Sequence, residues 1–205
     1  SGSGYDVTQH TITITTHPPA GHASHTMSGM SHEHGGLKSH YDEGVWGEAE
    51  FTVQDDMWLT EFSTEFTGVS IHNFYVFVKG THDAWCPSNP SAIYSGGTVS
   101  ARQPLIFDAP YGVFVKKGTT LVLKAFYHET AGSGEEKTPT FSVHARYELA
   151  TDTNRSVPIT LHFVMPEPCE YTRPVFTVPP HAENLLFSSD KRPFVFHDDG
   201  VILKA

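Results

Sequence analysis

From Phe51 onward the chain is a succession of short apolar-rich runs, each closed by turn residues, and this pattern restricts it to β-structure. The runs are Phe51–Val53, Trp58–Phe66, Val69–Val78, Leu105–Phe107, Leu121–Tyr127, Phe141–Leu149, Ile159–Val164, Val175–Val178, Phe194–Phe196 and Val201–Leu203. Ser95-Gly96-Gly97, Lys117-Gly118 and Gly132-Ser133-Gly134 read as turns between them, at the roughly eight-to-twelve-residue spacing of all-β domains. Ahead of these runs, Thr11–Thr16 alternates as Thr-Ile-Thr-Ile-Thr-Thr, the pattern of a strand with one buried face, and stops before Pro18-Pro19. No window keeps a helical period of about 3.6 residues for more than about two turns. Aromatic residues make up 12% of the chain, enough to fill a core. The sequence therefore predicts an all-β fold, a jelly-roll-like antiparallel β-sandwich in one domain over residues 5–205. Residues 159–205 read either as its closing strands or as the start of a second domain. Ser1-Gly2-Ser3-Gly4 reads as a cloning scar that replaced a natural leader.

Charge and motif content narrow the function. With 13 basic and 23 acidic residues the net charge is -10, the wrong sign for a duplex nucleic-acid partner. No run reaches the 18 or so apolar residues of a membrane-spanning helix. No Gly-x-Ser-x-Gly elbow is present, and no Gly-rich phosphate loop sits between a strand and a helix. Asp55-Asp56 and Glu135-Glu136 are adjacent pairs, which on a strand point to opposite faces and do not make an acid/base couple. His197-Asp198-Asp199-Gly200 reads as a turn with too few oxygen ligands for calcium.

The chain has 14 histidines, and seven of them fall between His10 and His40. Residues 20–44 are Gly, Ser, His and Met with almost no large apolar groups, so this segment cannot bury itself and reads as a long loop. His22-x-x-His25, Met27-x-x-Met30 and His32-x-His34 place donor pairs close enough to converge on one ion. Imidazole suits Cu(II) and Zn(II), and thioether sulfur suits Cu(I). The segment therefore reads as a metal-loading or metal-sensing loop, or else as a polar loop whose histidines only titrate near neutral pH.

The cysteines, Cys86 and Cys169, lie in Pro-flanked loops and not in a CxxC pair. They read as one disulfide, or as two buried free thiols. Asn154-Arg155-Ser156 is an N-glycosylation sequon in a polar, turn-like stretch. Together with the histidine tract these features point to an exported protein, secreted or displayed at the cell surface.

The order of motifs from Phe51 to Leu149 resembles the N-terminal domain of the copper type II, ascorbate-dependent monooxygenases, the peptidylglycine and dopamine β-hydroxylating enzymes. Val69-Ser70-Ile71-His72-Asn73-Phe74-Tyr75-Val76-Phe77 resembles that family's strand with paired histidines, and Trp85-Cys86 resembles its cysteine loop. Ala109-Pro110-Tyr111-Gly112-Val113 is similar to its Pro-x-Gly-x-Gly turn. Thr119–Glu129 is similar to the later strand that carries a His-Tyr motif. The resemblance implies a copper site at His72, but Asn73 stands at the second histidine position and Phe126 at the third. His128, two residues along on the same strand face, is the substitute the alternation offers. The second copper site of that family, a His-x-His pair and a Met on another domain, is not supplied before Ala205.

His72 also reads as a histidine sharing a face with Phe74 and Val76 and satisfied by the backbone. His82 and Asp83 read as surface residues, and His144 and His162 as core or sheet-face residues. The function these observations imply is copper capture, storage or delivery, with His72, His128, His22, His25, His32, His34, Met27 and Met30 as ligands and zinc as the other candidate metal. A copper acceptor or another protein would be its partner. Two further classes stay open: a mononuclear copper oxidoreductase or fragment of a two-domain monooxygenase, and a structural or adhesive sandwich whose surface aromatics bind a partner.

Overall fold

The computed structural model describes residues 3–19, 45–69, 71–83, 87, 89–97, 103–127, 139–161 and 200–203. Its strands are β1 (Gly4–Asp6), β2 (Thr11–Thr16), β3 (Val45–Thr52), β4 (Met57–Thr67), β5 (Ile71–Val78), β6 (Ala92–Gly97), β7 (Leu105–Ile106), β8 (Tyr111–Val115), β9 (Thr120–Tyr127), β10 (Thr140–Leu149) and β11 (Val157–Pro158). They form a seven-stranded sheet in the order β1-β2-β10-β4-β8-β11, with β7 also on β4, and a four-stranded sheet in the order β3-β9-β5-β6. The chain crosses from one sheet to the other between β2 and β3, β3 and β4, β4 and β5, β6 and β7, β8 and β9, and β9 and β10. Neighbours within a sheet are therefore mostly not consecutive in sequence, and the fold is an all-β sandwich wound in jelly-roll fashion.

Alternation explains which side chains meet between the sheets. On β2, Ile12 and Ile14 are buried, and on β9 Leu121, Leu123, Ala125 and Tyr127 enter the same core. Aromatic rings join the two layers: Phe62 of β4 stacks on Tyr94 of β6 at 4.7 Å, and Phe74 of β5 meets Phe141 of β10 at 5.1 Å. The long strand β4 pairs with β10 along one edge, while its other edge is divided between β8 at Met57–Leu59 and β7 at Glu61–Phe62.

The strands read from Thr11–Thr16, Trp58–Phe66, Leu121–Tyr127 and Phe141–Leu149 all form, each within a residue of the expected bounds. Four differences have local causes. Ser95-Gly96-Gly97 is strand, not turn: it pairs with β5 at the sheet edge, and a Cβ on Gly97 would lie 3.2 Å from the His72 carbonyl oxygen, so this glycine marks a close approach. Tyr111-Gly112-Val113, read as the end of the turn that starts at Ala109-Pro110, instead opens strand β8 on β4. Near Ile159 the pairing comes earlier, as Val157–Pro158 parallel to Tyr111–Gly112, with the Ile159 N–H donating to the Gly112 carbonyl at 2.9 Å. Val201, Ile202 and Leu203 form no strand and are exposed. The runs at Val175–Val178 and Phe194–Phe196 and the turn at Gly132-Ser133-Gly134 lie outside the described residues. Ser3 and Gly4 take part in the fold: the Thr15 N–H donates to Ser3 Oγ at 3.0 Å, and Gly4 pairs with Thr13.

Gly47 on β3 has the tightest surroundings of the described glycines. An added Cβ would meet Tyr127 Cε2 at 2.5 Å and the His17 carbonyl oxygen at 2.6 Å. Neither the buried ring nor the backbone can retreat cheaply. Gly47→Ala is therefore expected to destabilise the fold by about 1–3 kcal/mol, the usual cost of overpacking, measured as a shift in the urea unfolding midpoint.

Candidate functional site

One end of the sandwich brings together described residues that flank segment 20–44 and that immediately precede His72 and His128 in the sequence. In the four-stranded sheet, Val45, Tyr127 and Ile71 form a transverse row. In the other sheet, Thr16, Phe141 and Phe66 do the same. Strand β2 ends at Thr16, shortly before segment 20–44, and β3 begins at Val45 directly after it, so both flanks of the segment lie here. His72 follows Ile71 directly, and His128 follows Tyr127.

The two rows are tied across the core by one polar contact. The buried hydroxyls of Thr16 and Tyr127 share a hydrogen bond, and Gly47 provides the space for the tyrosine ring. Burial pushes the Tyr127 phenol up to about 12, against the opposing pull of Thr16. Beside it, Thr15 Oγ1 and Ser142 Oγ are hydrogen-bonded at 2.8 Å, so this buried hydroxyl pair is also satisfied. His17 Nδ1 lies 3.3 Å from the Pro139 carbonyl oxygen, fixing the start of the departing segment to the strand entering β10.

The pairing of β5 with β9 shifts between Ile71 and Asn73: Ile71 faces Tyr127, and Asn73 faces Phe126. Ile71 and Phe74 are both fully buried although three residues apart, which strict alternation forbids. The bulge resolves the conflict by turning both His72 and Asn73 to the outer face of the sheet. The expectation that His72 shares a face with Phe74 and Val76 is thus corrected, since those two point into the core. The His72 ring stands at 67° to the Phe126 ring, with centroids 6.2 Å apart. Asn73 Nδ2 donates to the Tyr75 hydroxyl at 3.2 Å, and Asn73 Oδ1 is buried without a hydrogen-bond partner.

The third-histidine position suggested by the copper-monooxygenase resemblance is therefore a spatial neighbour of His72, but it carries a phenyl ring. Among the described residues no three His, Cys, Asp or Glu side chains come together as a metal site. His128, the donors of the 20–44 segment (His22, His25, Met27, Met30, His32 and His34), and both Cys86 and Cys169 lie outside the described residues. His82 is on the surface, with Nδ1 2.8 Å from the Pro87 carbonyl oxygen. Asn154 is exposed. The next residue, Arg155, is largely buried: it donates to the Phe107 and Tyr111 carbonyls at 2.5 and 2.6 Å and pairs with Glu148 at 3.1 Å. Hydrogen bonds from Thr153 and Arg155 hold the Glu148 carboxyl below its ordinary range.

Sequence reasoning did not find one constellation. His144 lies on the outer face of the seven-stranded sheet between Thr13 Oγ1, 2.9 Å from Nδ1, and Glu65 Oε2, 3.3 Å from Nε2. Hydroxyl, imidazole and carboxylate in line are the order of a nucleophilic triad. Here they sit on three adjacent strands whose backbone N–H groups are engaged in pairing, so no oxyanion donors converge on Thr13. The line acts as a cross-strand polar ladder. Only the register of β2, β10 and β4 reveals it, and none of the three residues carries that register in its local sequence.

Comparison with protein-family models, with curated proteins and with solved structures finds no match.

Two buried phenols, Tyr94 and Tyr127, are raised to about 12 by burial, against 10.0 for an unperturbed tyrosine. Between these values the unfolded chain releases protons that the folded chain retains, so their stabilising contribution is full below pH 10 and is lost as pH rises toward 12. Each phenol should steepen the loss by about 1.4 kcal/mol per pH unit across that window. Tyr94→Phe should flatten the alkaline limb of a Tm-versus-pH profile, as should Tyr127→Phe after allowance for its lost Thr16 bond.

Proposed function

We propose that this protein is an exported copper-binding protein that captures, stores or delivers the metal. The observation that carries this reading is the meeting of both anchors of the His/Met-rich segment with His72 and the exit of β9 toward His128, at one end of the sandwich. Donors brought to one place by fixed anchors bind an ion with less ordering cost than donors scattered along a free chain. Imidazoles from His22, His25, His32, His34, His72 and His128 suit Cu(II). The thioethers of Met27 and Met30 suit Cu(I), so one assembly can accept either oxidation state and pass the ion on. Zinc would compete for the imidazoles alone. Binding is favoured over oxygen chemistry because the sandwich offers His72 with Phe126, and not a cluster of imidazoles, at the positions matching the copper monooxygenases. Exposure of Asn154 supports an exported, glycosylated chain, since a glycan there would project into solvent.

Cu(II) titration of the full chain with electron paramagnetic resonance tests the proposal. About one tightly held copper per chain, with nitrogen hyperfine structure, is expected. Deleting residues 20–40 should lower stoichiometry or affinity at least tenfold, and His72→Ala with His128→Ala should weaken what remains. Unchanged binding after both alterations, or no binding by the intact chain, would overturn it.

A further inference from the structure

Two exposed imidazoles hold Nδ1 against a main-chain carbonyl oxygen: His17 against Pro139 at 3.3 Å, and His82 against Pro87 at 2.8 Å. A carbonyl oxygen only accepts, so Nδ1 carries the proton in each, and Nε2 of the neutral ring keeps its lone pair. His144 differs, because Thr13 and Glu65 engage both of its nitrogens. His10 stacks on Tyr147 and precedes Thr11, at the end of β2 opposite to Thr16. His82 follows β5 beyond Val78, at the end of that strand opposite to Ile71. Of these four imidazoles, His17 is the one at the end where Val45, Tyr127 and Ile71 line up, since it follows Thr16 directly. Its main chain touches the first flank of interest: a Cβ on Gly47 of β3, the strand after segment 20–44, would lie 2.6 Å from the His17 carbonyl oxygen. Its ring touches the second, because Pro139 ends the connection that His128 begins.

We infer that His17 is a ligand of the copper assembly, binding through Nε2 and set in place before the metal arrives. The inference rests on the copper-binding reading above and adds a residue outside the ligand set that the motifs supply. A metal-ligating imidazole characteristically donates its other ring N–H to a carbonyl or carboxylate, which fixes both the tautomer and the direction of the ring. The His17–Pro139 pair has that arrangement, so uptake of an ion requires neither a proton shift between the nitrogens nor a turn of the ring. Imidazole nitrogen suits Cu(II) and Zn(II) alike. Position supplies the rest of the argument. An ion on His17 stands beside the flanks of both stretches of chain that carry the other donors, so the ordering cost of the first ligand is already met by the sandwich. His82 has the same tautomer without that position, and it serves as the internal control.

Cu(II) titration of full-chain variants, with NMR of the wild type, is the test. His17→Asn keeps a side-chain N–H where Nδ1 stood, and so the bond to Pro139, but has no atom in place of Nε2. It should unfold at the wild-type urea midpoint and bind Cu(II) about tenfold or more weakly. His17→Ala should weaken binding to the same extent, whereas His82→Ala should leave it unchanged. In the wild-type protein a long-range nitrogen–proton spectrum should show the metal-free His17 ring as the Nδ1–H tautomer. Saturating Zn(II), a diamagnetic competitor for imidazoles, should then shift the Nε2 resonance, a readout that holds even if a variant fails to fold. The inference is overturned if His17→Asn binds Cu(II) as tightly as wild type, if the metal-free ring carries its proton on Nε2, or if Zn(II) leaves Nε2 unmoved. Each of those results leaves the copper-binding reading standing, while absence of Cu(II) binding by the intact chain overturns both.

Discussion

The hydrogen bond between the buried hydroxyls of Thr16 and Tyr127 joins the two sheets across the core, and Gly47 leaves the room that the tyrosine ring needs. A phenol cannot be buried without a partner except at a cost of about 1–3 kcal/mol. Thr16, at the last position of β2, provides that partner, and Gly47 makes room for the ring on the neighbouring strand. Once the phenol is in place, Val45, Tyr127 and Ile71 are in line across one sheet, and Phe141 faces Thr16 in the other.

The β5 bulge is the second constraint, and it turns an internal conflict into a surface feature. A sequence that requires both Ile71 and Phe74 in the core must yield one residue of register between them. That residue is His72. The polar pair His72–Asn73 is thus carried outside the sandwich, against Phe126 and near Trp46, on a strand whose inward side is wholly apolar. On the outer surface of β9, Val122 and Phe126 are also buried, though neither belongs to the central core.

What the sequence reveals and what it hides divide along physical lines. Alternation over Thr11–Thr16, Leu121–Tyr127 and Phe141–Leu149 is a local signal, and the strands form where it appears. Strand β6 escapes notice because Ser95-Gly96-Gly97 has turn composition, and its glycine is required by the His72 carbonyl of another strand. Strand β1 is three residues long, too short for any period to be seen. The face that His72 occupies cannot be read from alternation, because a bulge is a compromise between two distant burial demands. The Thr13–His144–Glu65 line is likewise a product of register between strands far apart in sequence. The neighbourhood of His72 and Phe126 is also set by the shifted register of β5 on β9.

The anchors of segment 20–44 have a further consequence. Thr16–His17 and Val45–Gly47 are held against the same tyrosine, so the connection between them closes on itself whatever its length. Loop-closure entropy grows only logarithmically, by about 0.6 kcal/mol for each doubling. The entropy of bringing the two flanks together is thus met by the sandwich at the Thr16–Tyr127 contact. The two flanks of this segment therefore stand side by side by virtue of the β-framework, independently of the chain between them.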